Sequence, residues 1–399
     1  MKFIIESSSV PIYNRIATAF AKTLMEFGHT VHFIDASGFN ETDFVNTIND
    51  IEIDYYISTN ELNKIQKKSD SGEYFLFEKI NQKKIFIHHD NIFSGLHDLN
   101  TITEKLKAFI RNANESFHFC LEKSNVSILR ECGISQAFQT YHASEFNADA
   151  KHRDFKYGIS FVGHLMASLS LYPTETLIAG EHLRSMAWGR YSSSKFQIQP
   201  KLKELSENQY IFQKDKKKNL IDSFGIQQYL VASLNKLSSA IRGDLIRSIK
   251  DKRVDIFGGD LSYGTINNPL LKIDQQNVHY NAATVDYQTT QEIYRDSQIN
   301  LNFTALQFDT TMNNRCIDVI ASGGFLITDA MPDWLDADEL AIEIAFDSPE
   351  EMHHKINHYL DHKKRYNEVR YALRQSIQKK YTYPKQISLI IEKLLISKA

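Results

Sequence analysis

"NFTALQFDTTMNNRCIDVIASGGFLITD", residues 302–329, holds the pattern that sets the architecture. The apolar run Ile299 to Phe303 that enters it reads as a strand, and Phe325 to Thr328 at its far end reads as another. Between them a polar loop leads into a helix starting near Asn313 or Asn314. Gly323 suits a left-handed helix end, and Gly324 suits a tight turn into the next strand. Strand, helix and strand joined by short loops imply a parallel pair with a right-handed crossover.

The start of that helix also carries chemistry. Its free backbone N–H groups and positive dipole end suit a diphosphate. Arg315 lies in the first turn, where a guanidinium can grip phosphate oxygens through two N–H groups. Asp318 comes three residues later on the same face, and its carboxylate can accept from two vicinal hydroxyls, as a ribose presents them. The spacing fits equally an ordinary ion pair on an exposed helix. Spacing alone leaves both readings open.

On either side of this stretch the same alternation recurs along the chain. Phe3 to Ile5 reads as a buried strand, followed by a Ser7 to Ser9 loop and a helix with Ile16, Phe20 and Leu24 on one face, stopped at Gly28. Val31 to Ile34, Asp54 to Ser58, Lys84 to His88 and Ser116 to Leu121 continue the strand series. A polar stretch from Ala148 to Lys156 precedes a new strand, Tyr157 to Gly163. Residues 164–250 are helical in pattern, and "KDKKKN" at 214–219 reads as a solvated turn. Strands return at Arg253 to Phe257, then at Ile299 to Phe303 and Phe325 to Thr328, then at Glu339 to Phe346. Helices come after them, the last from Pro384 to Leu395. The expected class is α/β, with a first domain over 1–152, a second over 153–380, and a last helix over 381–399 packing back on the first.

Composition narrows the function. The 399 residues are 42% hydrophobic and 24% charged, ordinary for a folded protein. A net charge of -3 lacks the basic surplus a nucleic-acid partner needs, so that partner is disfavoured. Three cysteines, Cys120, Cys132 and Cys316, fit reduced thiols better than a disulfide framework. The N-terminal apolar run is too short for a signal or a membrane span, so the expected location is cytoplasmic, with no integral membrane segment. No GxGxxG, P-loop or GxSxG pattern occurs. His354, His358 and His362 have metal-ligand spacing on a helix, yet lie opposite the Met352, Ile356, Tyr359, Leu360 stripe and read as a solvated face.

The run "NRCIDVIASGGFLITDAMPDW" (314–334), with "IYRDSQINLNF" (293–303) before it and "FDSPEEMHHKINHYLDHKKRYNEVRYALRQSIQKKYTYPKQISLIIEKLL" (346–395) after it, resembles the C-terminal half of the CgeB-like group of glycosyltransferases. That group is related to group 1 transferases of the GT-B fold. "SFVGH" (160–164) looks like the start of the same domain, and "KKIFIHHDN" (83–91) is similar to part of the first. The resemblance implies two Rossmann-like, doubly wound parallel-sheet domains facing a cleft. It implies a nucleotide diphosphate sugar as donor, no metal, no other cofactor, and an acceptor of unknown kind bearing a hydroxyl. Asp318 matches the acid that binds the donor ribose, and Asn313, Asn314 and Arg315 match the diphosphate region. The group's common pattern has another acid eight residues earlier, where this chain has Thr310. The sugar contact then falls to Asp309, Thr310, Thr311 or the loop's backbone.

In the first half, His88, His89 and Asp90 directly follow a buried strand, at the end where ligands of parallel sheets bind. An imidazole there can hydrogen-bond a sugar hydroxyl, and a carboxylate or imidazole can deprotonate an acceptor. In related transferases a histidine after such a strand touches the donor sugar, which points to His88 or His89. His164, in the first loop of the second domain, has similar standing. Two rivals share these features: a nucleotide-sugar epimerase or hydrolase of the same fold, and a non-catalytic sugar-nucleotide-binding protein.

Overall fold

The computed structural model describes residues 1–93, 98–146, 154–165, 180–192, 197–207, 220–258, 273–282, 284 and 286–397. The chain forms two compact units, one of residues 1–142, 203–232 and 383–399, the other of 143–202 and 233–382.

The described part of the first unit builds one parallel sheet from β1 (Lys2–Glu6), β2 (Thr30–Ile34), β3 (Tyr55–Ser58), β4 (Lys83–His88), β5 (Ser116–Cys120) and β6 (Ala137–Gln139), in the order β2-β1-β3-β4-β5-β6. Helices cover its faces, so β3 and β5 are buried along their whole length, polar Ser58, Ser116 and His118 included. The segment Lys203–Ala232, expected in the second domain, belongs to this unit. Phe224 joins its core, and Gln228 accepts a hydrogen bond from Asn91 Nδ2 at 2.6 Å. The last helix, Tyr383–Ile396, also falls in this unit, where Tyr383 packs edge-on to Phe20.

The second unit carries β7 (Tyr157–Gly163), β8 (Val254–Gly258), β9 (Val278–Asn281), β10 (Ser297–Asn302), β11 (Leu326–Asp329) and β12 (Ala345–Phe346), all parallel, in the order β12-β11-β10-β7-β8-β9. The chain runs outward from β7 to β9, then returns to β7's other side and runs out again. This reversal makes a topological switch point between β7 and β10, where open parallel sheets bind ligands at their carboxyl ends.

Two strands escaped the sequence reading, β6 and β9, because each is a short edge strand with few apolar residues. The expected strand Glu339 to Phe346 is half taken up by a short helix, Ala341–Ile344, leading into the two residues of β12. Its apparent alternation misled: Ile342 is 68% exposed, whereas Ala341 and Ile344, three apart, are buried. "KDKKKN" and residues 148–153 of the expected domain boundary lie outside the described residues.

Candidate active site

The helix Asn314–Ala321 comes after β10 and starts beside the β7/β10 switch point. Asn313 caps it, its side chain accepting the Cys316 N–H at 3.3 Å. Asn302, the last residue of β10, is fully buried and orients the first turn of that helix: its Oδ1 accepts from Asn313 Nδ2 at 3.0 Å and from Arg315 Nη1 at 2.8 Å. Its own Nδ2 is tied to Thr328 Oγ1 at 2.9 Å. The Arg315 guanidinium also stands over the Phe161 ring of β7, 5.1 Å from its centroid. Gly163 at the end of β7 has φ +145°, and a Cβ there would lie 2.6 Å from Arg315 Nη2. A residue with a side chain would be strained and would displace the guanidinium.

Two further arginines, missed in the sequence, stand at this end of the sheet. Arg242 donates to Phe303 O at 3.1 Å and to His164 O at 3.2 Å, tying the ends of β10 and β7 together. Burial pulls its pKa down to about 10, and the nearby positive charge of Arg315 and Arg190 adds to that shift. Arg190 donates to the carbonyls of Ala305 and Phe308 and lies 3.8 Å from the Asp329 carboxylate at the end of β11. Asp329 is itself held by Thr304, whose N–H and hydroxyl donate at 2.8 and 2.9 Å. Arg190 and Arg242 lie far from the 302–329 stretch in sequence, and no local spacing connects them to it.

Asp318 does not pair with Arg315 as an exposed ion pair. It is 3% exposed, and its Oδ1 accepts from Ser144 Oγ at 2.8 Å and Tyr287 OH at 3.1 Å. Two other expected donor contacts, Asp309 and Thr310, are turned to structural partners. Burial raises the Asp309 pKa, and both its oxygens accept backbone N–H groups, of Ile198 at 2.7 Å and Gln199 at 2.9 Å, at the start of helix Ile198–Glu207. Thr310 donates to Asp333 at 3.0 Å, and Thr311 is buried. Asn314 is half-buried, and the His164 side chain is exposed directly after Gly163.

In the first unit the expected trio separates. His88 is fully buried, Nδ1 3.2 Å from Glu61 Oε1 and Nε2 3.1 Å from His118 Nδ1. Both ring nitrogens are therefore engaged inside the unit. Burial lifts Glu61 to about 7 and lowers Lys105, in the same buried cluster, to about 8. His89 stacks on His142 with Nδ1 atoms 3.3 Å apart, and neither Nε2 has a hydrogen-bond partner among the described residues. Burial first, then His88 and Arg15, lower His89 to about 3, so it is neutral. Asp90 is half-buried and accepts a hydrogen bond from the Tyr13 hydroxyl, whose own pKa burial pushes well up. Of the three helical histidines, His354 and His362 are exposed and His358 is half-buried.

Residues 242–392 match the sequence pattern of the glycosyl transferase-like family, less than half of the chain. No curated protein matches the sequence. Among solved structures, an alpha-glucosyltransferase in complex with UDP and a 13-mer DNA containing an HMU base is 10% identical, covers 99% of both chains, and superposes with a TM-score of 0.56. The Anabaena protein Alr3699/HepE in complex with UDP and glucose is likewise 10% identical over 99% of both chains, with a TM-score of 0.54. The chain spans about half, 54%, of TarM, at 13% identity and a TM-score of 0.45. The fold is GT-B, and with the family match it supports a glycosyltransferase.

Proposed function

We propose that the protein moves a sugar from a nucleotide diphosphate sugar to a hydroxyl-bearing acceptor, as a member of the CgeB-like group its C-terminal pattern resembles. The observation that carries this reading is Arg315, held by Asn302 and Phe161 at the β7/β10 switch point with Arg242 and Arg190 nearby. Breaking the bond between the sugar's anomeric carbon and the diphosphate leaves negative charge on the phosphate oxygens. Guanidinium groups already fixed in place stabilise that charge without reorganising. They supply the countercharge that a metal ion provides elsewhere, so EDTA should leave the rate unchanged. Asp318 takes the donor ribose, and the UDP held by the similar structures makes UDP the first nucleotide to try.

On the first unit, His89 keeps the sugar-contact role, because His88 is sequestered. Asp90 is the candidate to accept the acceptor's proton. Asp309 and Thr310 drop out of the sugar contact in favour of the loop's backbone.

The experiment is a binding titration with UDP, GDP, ADP and dTDP on the wild type and on Asp318→Asn. Asparagine keeps an acceptor oxygen for Ser144 and Tyr287, so the fold is spared while the charge is lost. The preferred diphosphate should bind about 10- to 100-fold more weakly to the variant, the worth of charge-assisted hydrogen bonds. Unchanged affinity would remove Asp318 from the donor site.

A further inference from the structure

The ribose carboxylate is already in use. Ser144 and Tyr287 both donate to the same oxygen, Asp318 Oδ1, at 2.8 and 3.1 Å. The short stretch Ser144 to Phe146 is fastened around that contact at each end. The Ser144 N–H donates to Tyr381 O at 3.1 Å, and the Phe146 N–H donates to Ser144 Oγ at 3.2 Å. The Phe146 ring stacks on Tyr287, centroids 3.8 Å apart and planes 14° apart. One hydroxyl, Ser144 Oγ, therefore both donates to the carboxylate and accepts the amide that closes the turn. Ser144 and Phe146 are 7% and 9% exposed, so the stretch is packed down.

We propose that residues 144–146 form a strap over Asp318, and that a ribose gains the carboxylate by displacing the Ser144 hydroxyl from Oδ1. Ser144 is then a positioning residue that sets donor affinity by competition, and Tyr287, anchored by its ring stack, stays as the fixed second donor. The physical reason is lone-pair capacity: a carboxylate oxygen that accepts two hydrogen bonds near 3 Å has little left for a third donor. A ribose brings two hydroxyls and outcompetes one serine, and the released Ser144 Oγ no longer holds the Phe146 amide.

This inference rests on Asp318 as the ribose acid, and its test separates the two. The nucleoside diphosphates UDP, GDP, ADP and dTDP are titrated into the full chain, wild type, Ser144→Ala and Ser144→Thr, and amide hydrogen exchange at Phe146 is followed with and without the tightest binder. The strap predicts that Ser144→Ala binds the diphosphate about 3- to 10-fold more tightly, the worth of removing one competing hydrogen bond, while Ser144→Thr keeps wild-type affinity. It also predicts that the Phe146 amide exchanges faster in the wild type once nucleotide is bound. A nucleotide that binds with equal or weaker affinity to Ser144→Ala, and leaves Phe146 protected, overturns the strap and spares the donor reading. Binding of no diphosphate by the wild type overturns the donor reading, and the strap with it. Should Ser144→Ala fold poorly, the exchange experiment on the wild type decides alone.

Discussion

Arg315 and Asp318 are three residues apart on one short helix, yet the fold gives them different surroundings. The first is half-buried against Asn302 and the Phe161 ring; the second is buried under Ser144 and Tyr287. The sequence could name both residues, because a cap, a cation and an acid in consecutive turns form a local pattern. It could not name Asn302, Arg190 or Arg242, which reach the same place from other elements. Nor does anything in "IFIHHDN" say which of two adjacent histidines points into the core, where Glu61 and His118 meet His88. Asp90, by contrast, keeps a half-buried carboxylate at the end of β4, held by Tyr13. Asp90→Asn should lower turnover by about 100-fold or more, the scale of a lost general base, with nucleotide affinity unchanged. Equal turnover in a steady-state transfer assay would dismiss Asp90 as the base.

At the scale of elements, the helix-to-strand passage at Gly323-Gly324 was legible in kind but only partly in cause. Gly323 has φ +82°, and its N–H donates to Ile320 O at 2.9 Å, a left-handed helix end as the sequence suggested. Gly324 answers a different need. A Cβ there would lie 2.5 Å from Tyr294 O and 2.9 Å from Asn300 Nδ2, so the second glycine admits a close backbone approach between β11's entry and the end of helix Tyr287–Asp296. Gly324→Ala should therefore destabilise the protein by roughly 1–3 kcal/mol through overpacking, read as a lower urea midpoint. A midpoint equal to wild type would show that Tyr294 yields freely. The edge strands β6 and β9 were illegible for a complementary reason: an edge needs little apolar surface, and periodicity has nothing to report.

At the scale of the molecule, both sheets were readable from their buried parallel strands, whereas the grouping of Lys203–Ala232 with the first unit was not, because tertiary packing of Phe224 and Gln228 sets it. The first unit also concentrates neutral buried histidines. Burial lowers the pKa of His88, His89, His118 and His142. An unfolded histidine takes up a proton near pH 6.5, so the stability these four lend is complete above that pH and is lost as pH falls below it. Glu61 works the other way: raised to about 7 from 4.5, it lends stability below about 4.5 that is lost as pH rises through 7. The raised carboxyls of Glu6 and Asp309 act with Glu61, and the four fully buried histidines, lowered furthest by burial, set the sign. The melting temperature of the intact chain should fall between pH 7.5 and pH 5, and less steeply for a His89→Gln, His142→Gln variant. A flat profile across that range would mean that the histidines titrate in the folded state.

If Arg315 grips a nucleotide diphosphate at the β7/β10 switch point, calorimetric titration of UDP and uridine, or the corresponding pair for a preferred base, into the wild type and Arg315→Ala will show it. The wild type should bind the diphosphate at least about tenfold more tightly than the nucleoside, and the alanine variant should lose most of that difference, as expected for removing a bidentate charge-assisted contact. An alanine variant that holds the diphosphate as tightly as the wild type would refute the grip.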